Sequence, residues 1–355
     1  MNDIAPLLSV IIPTLNEASH LPLLLGDLNI QQKITFEIIV ADGGSEDATR
    51  STAEEFGADF ITAASGRGAQ MNAAAERASG AHLLFLHADS RINDANLLSN
   101  AIDALMSKSP LQQRVAGHFR LRFIRSTARN KMAYRYAEEK SAFNRVNTTN
   151  GDQGLLLSRD FFRDLGGFDE RMPFLEDQRI TEKIRTQGEL ITLPGYLATS
   201  ARRFETEGFH RRYILMSMMM GLYSIGEDSF FTRAPGVYRL QQDTGKLLLS
   251  PFFCLLRQMM LDEWGLDGTI HAFYLLGRYI RQNLWQMFFF IDVLMRPLIG
   301  IGRYPSLNTY DRMSGACKNS RILDAVTGLI SFIWFMGVLA PFFLLVDKSE
   351  SKGKL

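Results

Sequence analysis

The chain has 355 residues, enough for one large domain with an appendage or for two domains. Its 39 Lys and Arg against 38 Asp and Glu leave a formal net charge of +1, so no strong overall field draws it to nucleic acid. Cys254 and Cys317 lie far apart, which excludes a disulfide framework and suits a reducing compartment. Asp3 precedes the first apolar run, and no basic segment of the kind that opens a signal peptide stands before it. The N-terminal part is therefore expected to stay in the cytoplasm.

The first half alternates short β-branched runs with helical patterns. Residues 8–12 read as a strand ended by Pro13, and 17–28 as a helix. A second strand, 36–40, ends at Asp42-Gly43-Gly44-Ser45, where Ser45 or Asp47 can cap a helix running to about Phe56. A short strand at 59–63 leads into Gly66-Arg67-Gly68 and an Ala-rich helix to Ala78. Residues 82–86 form the next strand, ending at Asp89. This spacing means βαβ units and a mostly parallel sheet flanked by helices.

Beyond residue 110 the alternation loosens. Residues 115–124 alternate in period two, as a partly exposed strand does. A buried strand at 154–158 is followed by a helix and the turn Leu165-Gly166-Gly167-Phe168. Helix 176–187 places Ile180 and Ile184 on one face; short strands at 190–193 and 197–201 and a Met-rich helix at 208–225 follow.

From residue 236 the chain becomes a hydrophobic helical region, 236–355. Apolar stretches cover 247–253 and 285–291, and Asp292 and Arg296 break the second at i,i+4 spacing, as in an interfacial or tightly packed helix. Residues 325–346 carry no charge. As a helix they would reach about 33 Å, enough to cross a hydrocarbon core of about 30 Å. Pro341 would kink that helix, which a membrane span tolerates. The alternative is a buried hairpin of a soluble helical subdomain. Arg303, Arg312, Lys318 and Arg321 precede the stretch and Lys348, Lys352 and Lys354 follow it; the slight N-terminal excess favours a cytoplasmic N-terminal domain.

Three acidic sites stand out. Asp42 and Asp89 follow buried strands, and ligands of open α/β sheets sit at the carboxyl ends of strands. Asp42 reads as an acceptor for a base or ribose, or as a turn cap. Asp89 reads as an oxygen ligand for Mg²⁺ or Mn²⁺. Glu176 and Asp177 open a helix, where acids also suit the dipole; one of them can act as a base. Glu17 is either a nucleotide contact or a first-turn acid. Arg67 stands at a helix start, where backbone N–H groups attract anions. Arg202 and Arg203 suit phosphate, His210 suits metal or phosphate, and with Arg211 and Arg212 this basic group also suits anionic lipid heads.

The opening Ser9-Val10-Ile11-Ile12-Pro13-Thr14-Leu15-Asn16-Glu17 resembles that of family 2 glycosyltransferases. The strand before Asp42, Gly66-Arg67-Gly68-Ala69-Gln70-Met71-Asn72, Gly151-Asp152-Gln153-Gly154, Gly166-Gly167-Phe168 and Leu175-Glu176-Asp177 follow in that family's order. His87-Ala88-Asp89, with Ser200-Ala201-Arg202-Arg203-Phe204, resembles a bacterial-type subgroup. The resemblance implies a GT-A fold over 1–235, a nucleotide-diphospho-sugar donor (a UDP-sugar in the commonest case) and inversion at the sugar carbon. It implies donor contacts from Pro13, Glu17, Asp42, Arg67, His87 and Arg203, a metal at Asp89 with His210, and Asp177 as general base beside Glu176. Many relatives have Asp where this chain has His87, an imidazole that suits Mn²⁺ better than Mg²⁺ or that contacts ribose or phosphate.

The apolar C-terminal third implies a lipid or lipid-linked acceptor and an inner-membrane location with the catalytic domain facing the cytoplasm. Two other readings compete. A nucleotidyltransferase would need a Gly-rich loop with Arg and Lys after the first strand, where Pro13 to Glu17 stand instead. A non-catalytic membrane scaffold with a degenerate transferase domain has His87 as its support. The missing Gln-x-x-Arg-Trp pattern argues for single additions.

Overall fold

The computed structural model describes residues 6–108, 114–239, 245–313 and 320–352. Asp3, Cys317, Lys318 and Lys354 lie outside them. The chain divides into two compact units, Met1–Ala201 and Arg202–Leu355.

The first unit contains, in order, β1 (Leu8–Thr14), α1 (Leu21–Asn29), β2 (Phe36–Asp42), α2 (Thr49–Glu55), β3 (Asp59–Thr62), α3 (Arg67–Arg77), β4 (His82–Phe85), β5 (Ser90–Arg91), α4 (Leu97–Lys108), β6 (Val115–Ile124), α5 (Lys131–Lys140), β7 (Leu155–Ser158), α6 (Arg159–Asp164), α7 (Glu176–Gln187) and β8 (Glu189–Ser200). The strands form one sheet of order β3-β2-β1-β4-β7-β6-β8-β5. The β3-β2-β1-β4 half is parallel, as the βαβ spacing requires. Beyond β4 the sheet is mixed: β7 runs antiparallel to β4 and β6, β6 is parallel to β8, and β5 is antiparallel to β8. Among the described strands four pairings are parallel and three antiparallel, so the sheet is mostly parallel as expected, with its antiparallel pairings all beyond β4.

Strand alternation sends Val10 and Ile12 to one face, with Leu21, Leu24, Leu25 and Leu28 of α1, and Ile11 to the other, with Met71 and Ala74 of α3 and Ile180 and Ile184 of α7. Helices therefore cover both faces of the parallel half. Consecutive connections leave β1 toward β2 and later toward β4, so the ends of β1, β2 and β4 open on one crevice.

Several local expectations need correction. Pro13 does not end β1; the strand runs on to Thr14, with Pro13 opposite Ala41. Pairing with β4 stops at Ile11, so no ladder donor is required on that side at residue 13. The first helix starts at Leu21, because Asn16 takes a left-handed conformation (φ 56°) and the chain turns before Glu17. Neither Ser45 nor Asp47 is the N-cap of α2, which is Ala48; Ser45 bonds to Asp42, and Asp47 accepts from the Thr49 and Ala18 N–H groups. The two short strands at 190–193 and 197–201 are one strand, β8, with an irregular register and Gly195 at φ +80°.

The second unit is helical: α8 (Arg202–Glu207), α9 (Phe209–Ser224), α10 (Asp228–Arg239), α11 (Ser250–Met259), α12 (Gly265–Gln282), α13 (Trp285–Ile299), α14 (Pro305–Met313), α15 (Arg321–Phe332) and α16 (Ala340–Lys352). The unit begins at Arg202, earlier than the composition change near 236, because α9 packs on α12: a Cβ on Gly221 would lie 2.9 Å from Leu276. Asp292 of α13 is buried and accepts from the Ser306 and Leu307 N–H groups, capping α14.

Arg321–Ser349 is one helical run of 29 residues, long and apolar enough to cross a membrane. It passes through a π-helical stretch, Ile333–Leu339, just ahead of Pro341, whose missing N–H cannot serve the regular ladder. The acids that bound its apolar stretch are both buried and paired: Asp324 with Arg281 of α12 and Asp347 with Arg211 of α9. Gly277 and Gly328 let α12 and α15 touch backbone to backbone, since a Cβ on either would collide with the other helix.

In β6, His118 is fully buried against Phe119 O, Gln153 Nε2 and Thr192 Oγ1. Burial, reinforced by the charge of Arg185, pushes its pKa down to about 4. The unfolded chain binds a proton near pH 6.5 that the folded chain refuses. Stability is therefore full above about pH 6.5 and falls as the pH drops toward about 4, by up to about 3 kcal/mol. Unfolding free energies measured across that range should show this slope in the wild type and a flatter one in His118→Asn.

Candidate active site

At the β1 and β2 ends two turns are bonded to each other. The Asn16 N–H donates to Ser45 Oγ (2.7 Å), and the Glu46 N–H donates to Asn16 Oδ1 (2.9 Å). Ser45 Oγ in turn donates to Asp42 Oδ1 (2.5 Å). Asp42 also accepts from Thr14 Oγ1 and from the Gly44 and Ser45 N–H groups. Burial opposes its charge, but these donors outweigh burial and hold its carboxyl below the usual range. Four donors fill the acceptor capacity of a carboxylate. Asp42 therefore organises this turn. Gln70 of α3 donates to Thr14 O and Ala41 O, fastening the helix beneath both strand ends. Pro13 is buried within β1, and Glu17 lies beside His20, with Nδ1 and Oε2 3.3 Å apart.

The next group lies past the end of β4. His87, Asp89 and Asp152 each offer a ligand atom, and these atoms lie within 4.8 Å of one another. His87 Nδ1 is 2.9 Å from Asp152 Oδ1. Burial opposes the charged imidazole, yet Asp152, with Asp89 nearby, raises its pKa above the ordinary value against the opposing charge of Arg67. One imidazole and two carboxylates form a donor set that fits a divalent cation, Mn²⁺ better than Mg²⁺.

Asp152 belongs to a single 3₁₀ turn, Gly151–Gln153, between α5 and β7. Gln153 holds the turn from within: it is fully buried, and its side-chain amide donates to Ser141 O (2.9 Å) and Phe119 O (3.2 Å). The Gly151 N–H donates to Asp177 Oδ2 at 2.5 Å, and Asp177 Oδ1 accepts from the Gln178 N–H. The first turn of α7 is thereby tied to the loop that carries Asp152. Leu175, just before α7, has φ +62°, a conformation costly for a branched side chain and frequent at functional sites.

Glu176 differs from its neighbour. It is 1% exposed and paired with Arg67, Nε to Oε1 at 2.9 Å. Burial and adjacent Asp177 raise its pKa, while Arg67 and His87 oppose the rise. Asp177 is only partly buried. A small cavity of about 20 Å³, lined in part by His87, Thr149, Gly151, Glu176 and Asp177, lies between them. It is room for about one water.

The structure thus brings His87, Asp89, Glu176, Asp177 and Arg67 together and adds Asp152. From the sequence, Asp152 reads as an acceptor or donor-sugar contact or as a turn residue, with no place in the metal group. It stands 65 residues from His87, and only the pairing of β4 with β7 closes that distance. Arg203 and His210 belong to the second unit, both exposed, with His210 edge-on to Phe209.

Gly151 is required by packing. A Cβ there would lie 2.7 Å from the His87 ring. Gly151→Ala should displace His87 and weaken Mn²⁺ binding by the His87, Asp89 and Asp152 donor set by about tenfold or more, at a stability cost of about 1–3 kcal/mol. Titration calorimetry and thermal unfolding of this variant measure both effects.

The model of the family described as Glycosyl transferase family 2 matches residues 9–166. A PGL/p-HBAD biosynthesis glycosyltransferase of Mycobacterium bovis is 37% identical over 102 residues, 27% of this chain and 40% of that protein, and one of Mycobacterium tuberculosis gives the same figures. The chain thus spans about two fifths of the length of these curated relatives. S. aureus TarS 1–349 in complex with UDP-GlcNAc superposes with a TM-score of 0.47 at 17% identity, covering 93% of this chain and 92% of that one. The mannosyltransferase PcManGT from Pyrobaculum calidifontis in complex with GDP-Man and Mn²⁺ gives 0.47 at 17%, covering 94% and 88%. The matched segment, residues 9–166, holds both bonded turns and the His87, Asp89 and Asp152 group, and over that segment the chain is similar to glycosyl transferase family 2.

Proposed function

We propose that the chain is a metal-dependent inverting glycosyltransferase that moves a sugar from a nucleotide-diphosphate donor, a UDP-sugar in the first instance, to a hydroxyl of a lipid or lipid-linked acceptor. The observation that carries this reading is the Gly151 N–H bond to Asp177. It sets a partly exposed carboxylate beside the His87, Asp89 and Asp152 group.

Asp177 is the general base. It takes the proton of the acceptor hydroxyl as that oxygen bonds to the anomeric carbon, while the bond from that carbon to the diphosphate oxygen breaks on the opposite face. The nucleotide diphosphate leaves, and configuration inverts. Asp89, with His87 and Asp152, would hold a divalent cation, Mn²⁺ or Mg²⁺, whose charge offsets that of the departing diphosphate.

Glu176 is not the base in this reading, because it is buried and held by Arg67. It orients Arg67 at the N-terminus of α3, where an anionic phosphate is favoured. Pro13, Glu17 and Asp42 shape the nucleotide end of the crevice; Asp42 does so mainly by ordering the 42–45 turn. The membrane-crossing length of Arg321–Ser349 supports a membrane location, and with it a lipid or lipid-linked acceptor.

Labelled UDP- and GDP-sugars incubated with membranes carrying each variant test the base assignment. Asp177→Asn should lower transfer to the lipid fraction by about 10²-fold or more while nucleotide affinity stays within a few-fold of wild type. Transfer at the wild-type rate in Asp177→Asn would remove Asp177 from the mechanism.

A further inference from the structure

Positive charge is distributed very unevenly in a chain of net charge +1. Between residues 114 and 137 stand seven Arg or Lys residues and no Asp or Glu. Arg114 lies 3.7 Å from Asp164. The other six, Arg120, Arg122, Arg125, Arg129, Lys131 and Arg135, are all exposed, and none forms an ion pair with another described residue.

The fold aligns them. In β6, Phe119 and Leu121 point into the core while Arg120, Arg122 and Ile124 point out, so the period-two strand carries two cations on its outer face. Arg125 and Arg129 follow in the connection to α5. Lys131 and Arg135 stand one helical turn apart on α5, whose Tyr134 is turned inward. Two guanidinium groups are stacked: Arg122 lies 3.8 Å from the centre of the Tyr196 ring and Arg125 5.4 Å from that of Tyr134. The nearest acid in sequence, Glu138, is held by the strand itself, where its Oε1 accepts from the Phe123 N–H. Ile124, 47% exposed, stands among these cations.

We propose that this strip, Arg120 to Arg135, docks on the anionic phospholipid headgroups of a bilayer, with Ile124 entering the interface. Six unneutralised cations on one surface repel one another unless a polyanion faces them. A bilayer is the polyanion that the rest of the chain favours. Arg321–Ser349 is long and apolar enough to cross a membrane, and a chain so anchored meets the headgroup surface at high effective concentration. Each Lys or Arg near an anionic leaflet contributes roughly fivefold to binding. The inference rests on the membrane reading of Arg321–Ser349 for proximity and is independent of the transferase reading.

The test is hydrogen exchange of the full chain in nanodiscs of phosphatidylcholine alone or mixed with phosphatidylglycerol. Exchange over residues 120–135 should be slower by about tenfold or more in the anionic discs. High salt should abolish the difference. The combined variant Arg125→Gln, Arg129→Gln, Lys131→Gln and Arg135→Gln should exchange alike in both lipids while unfolding at the wild-type temperature. Equal exchange in both lipids for a wild-type chain seated in the discs overturns the proposal. So does protection of the strip by a soluble nucleotide or polyanion in neutral discs with none from anionic lipid. A chain that fails to enter the discs contradicts the membrane anchor on which the proximity argument stands, and the proposal falls with it.

Discussion

The hydrogen bond from the Gly151 N–H to Asp177 Oδ2 joins two parts of the first unit that the sequence keeps apart. On one side is the 3₁₀ turn that presents Asp152 to His87; on the other is the first turn of α7. The bond requires glycine at 151, where a side chain would meet His87. It also requires the turn to be rigid, and the buried Gln153 amide supplies that by tying it to Phe119 and Ser141. Asp177 and the His87, Asp89 and Asp152 group therefore keep a fixed relation, which is the preorganisation that the proposed catalysis by positioning needs.

The β1 and β2 end of the crevice is ordered in the same way but by other means. Asn16 and Ser45 knit the β1 turn to the β2 turn, Asp42 gathers four donors, and Gln70 anchors α3 under both. Adjacent acids in α7 differ sharply in burial. Glu176 is enclosed and holds Arg67, whereas Asp177 keeps contact with the outside. Identical chemistry at neighbouring positions thus gives one enclosed, paired carboxylate and one partly exposed carboxylate, because side chains one residue apart leave a helix in different directions.

Much of the first unit was legible in the sequence. The apolar runs at β1, β2 and β4 and the acids after them are local signals, and the strand-end rule places them in one crevice. The faces of β6 and α7 followed from their periods. Long-range pairing was less accessible. Nothing in the order of residues says that β7 lies antiparallel to β4, and without that pairing Asp152 reads equally as an acceptor or donor-sugar contact or as a turn residue. Asp42 shows the opposite limit: its strand-end position suggests a ligand, while the atoms show a carboxylate already filled by its own turn. In the second unit, composition marked the apolar run, but Arg281 and Arg211, which pair with the acids at its two ends, became visible only through helix packing.

The most direct test of the joined site is a calorimetric titration of the detergent-purified chain with UDP and GDP, with and without Mn²⁺, in wild type, Asp89→Ala and Asp152→Asn. The account predicts that one nucleotide binds in a Mn²⁺-dependent manner and that both substitutions weaken this binding by about tenfold or more. Nucleotide binding that is indifferent to Mn²⁺, or absent for both nucleotides in a chain shown to be folded, would contradict it.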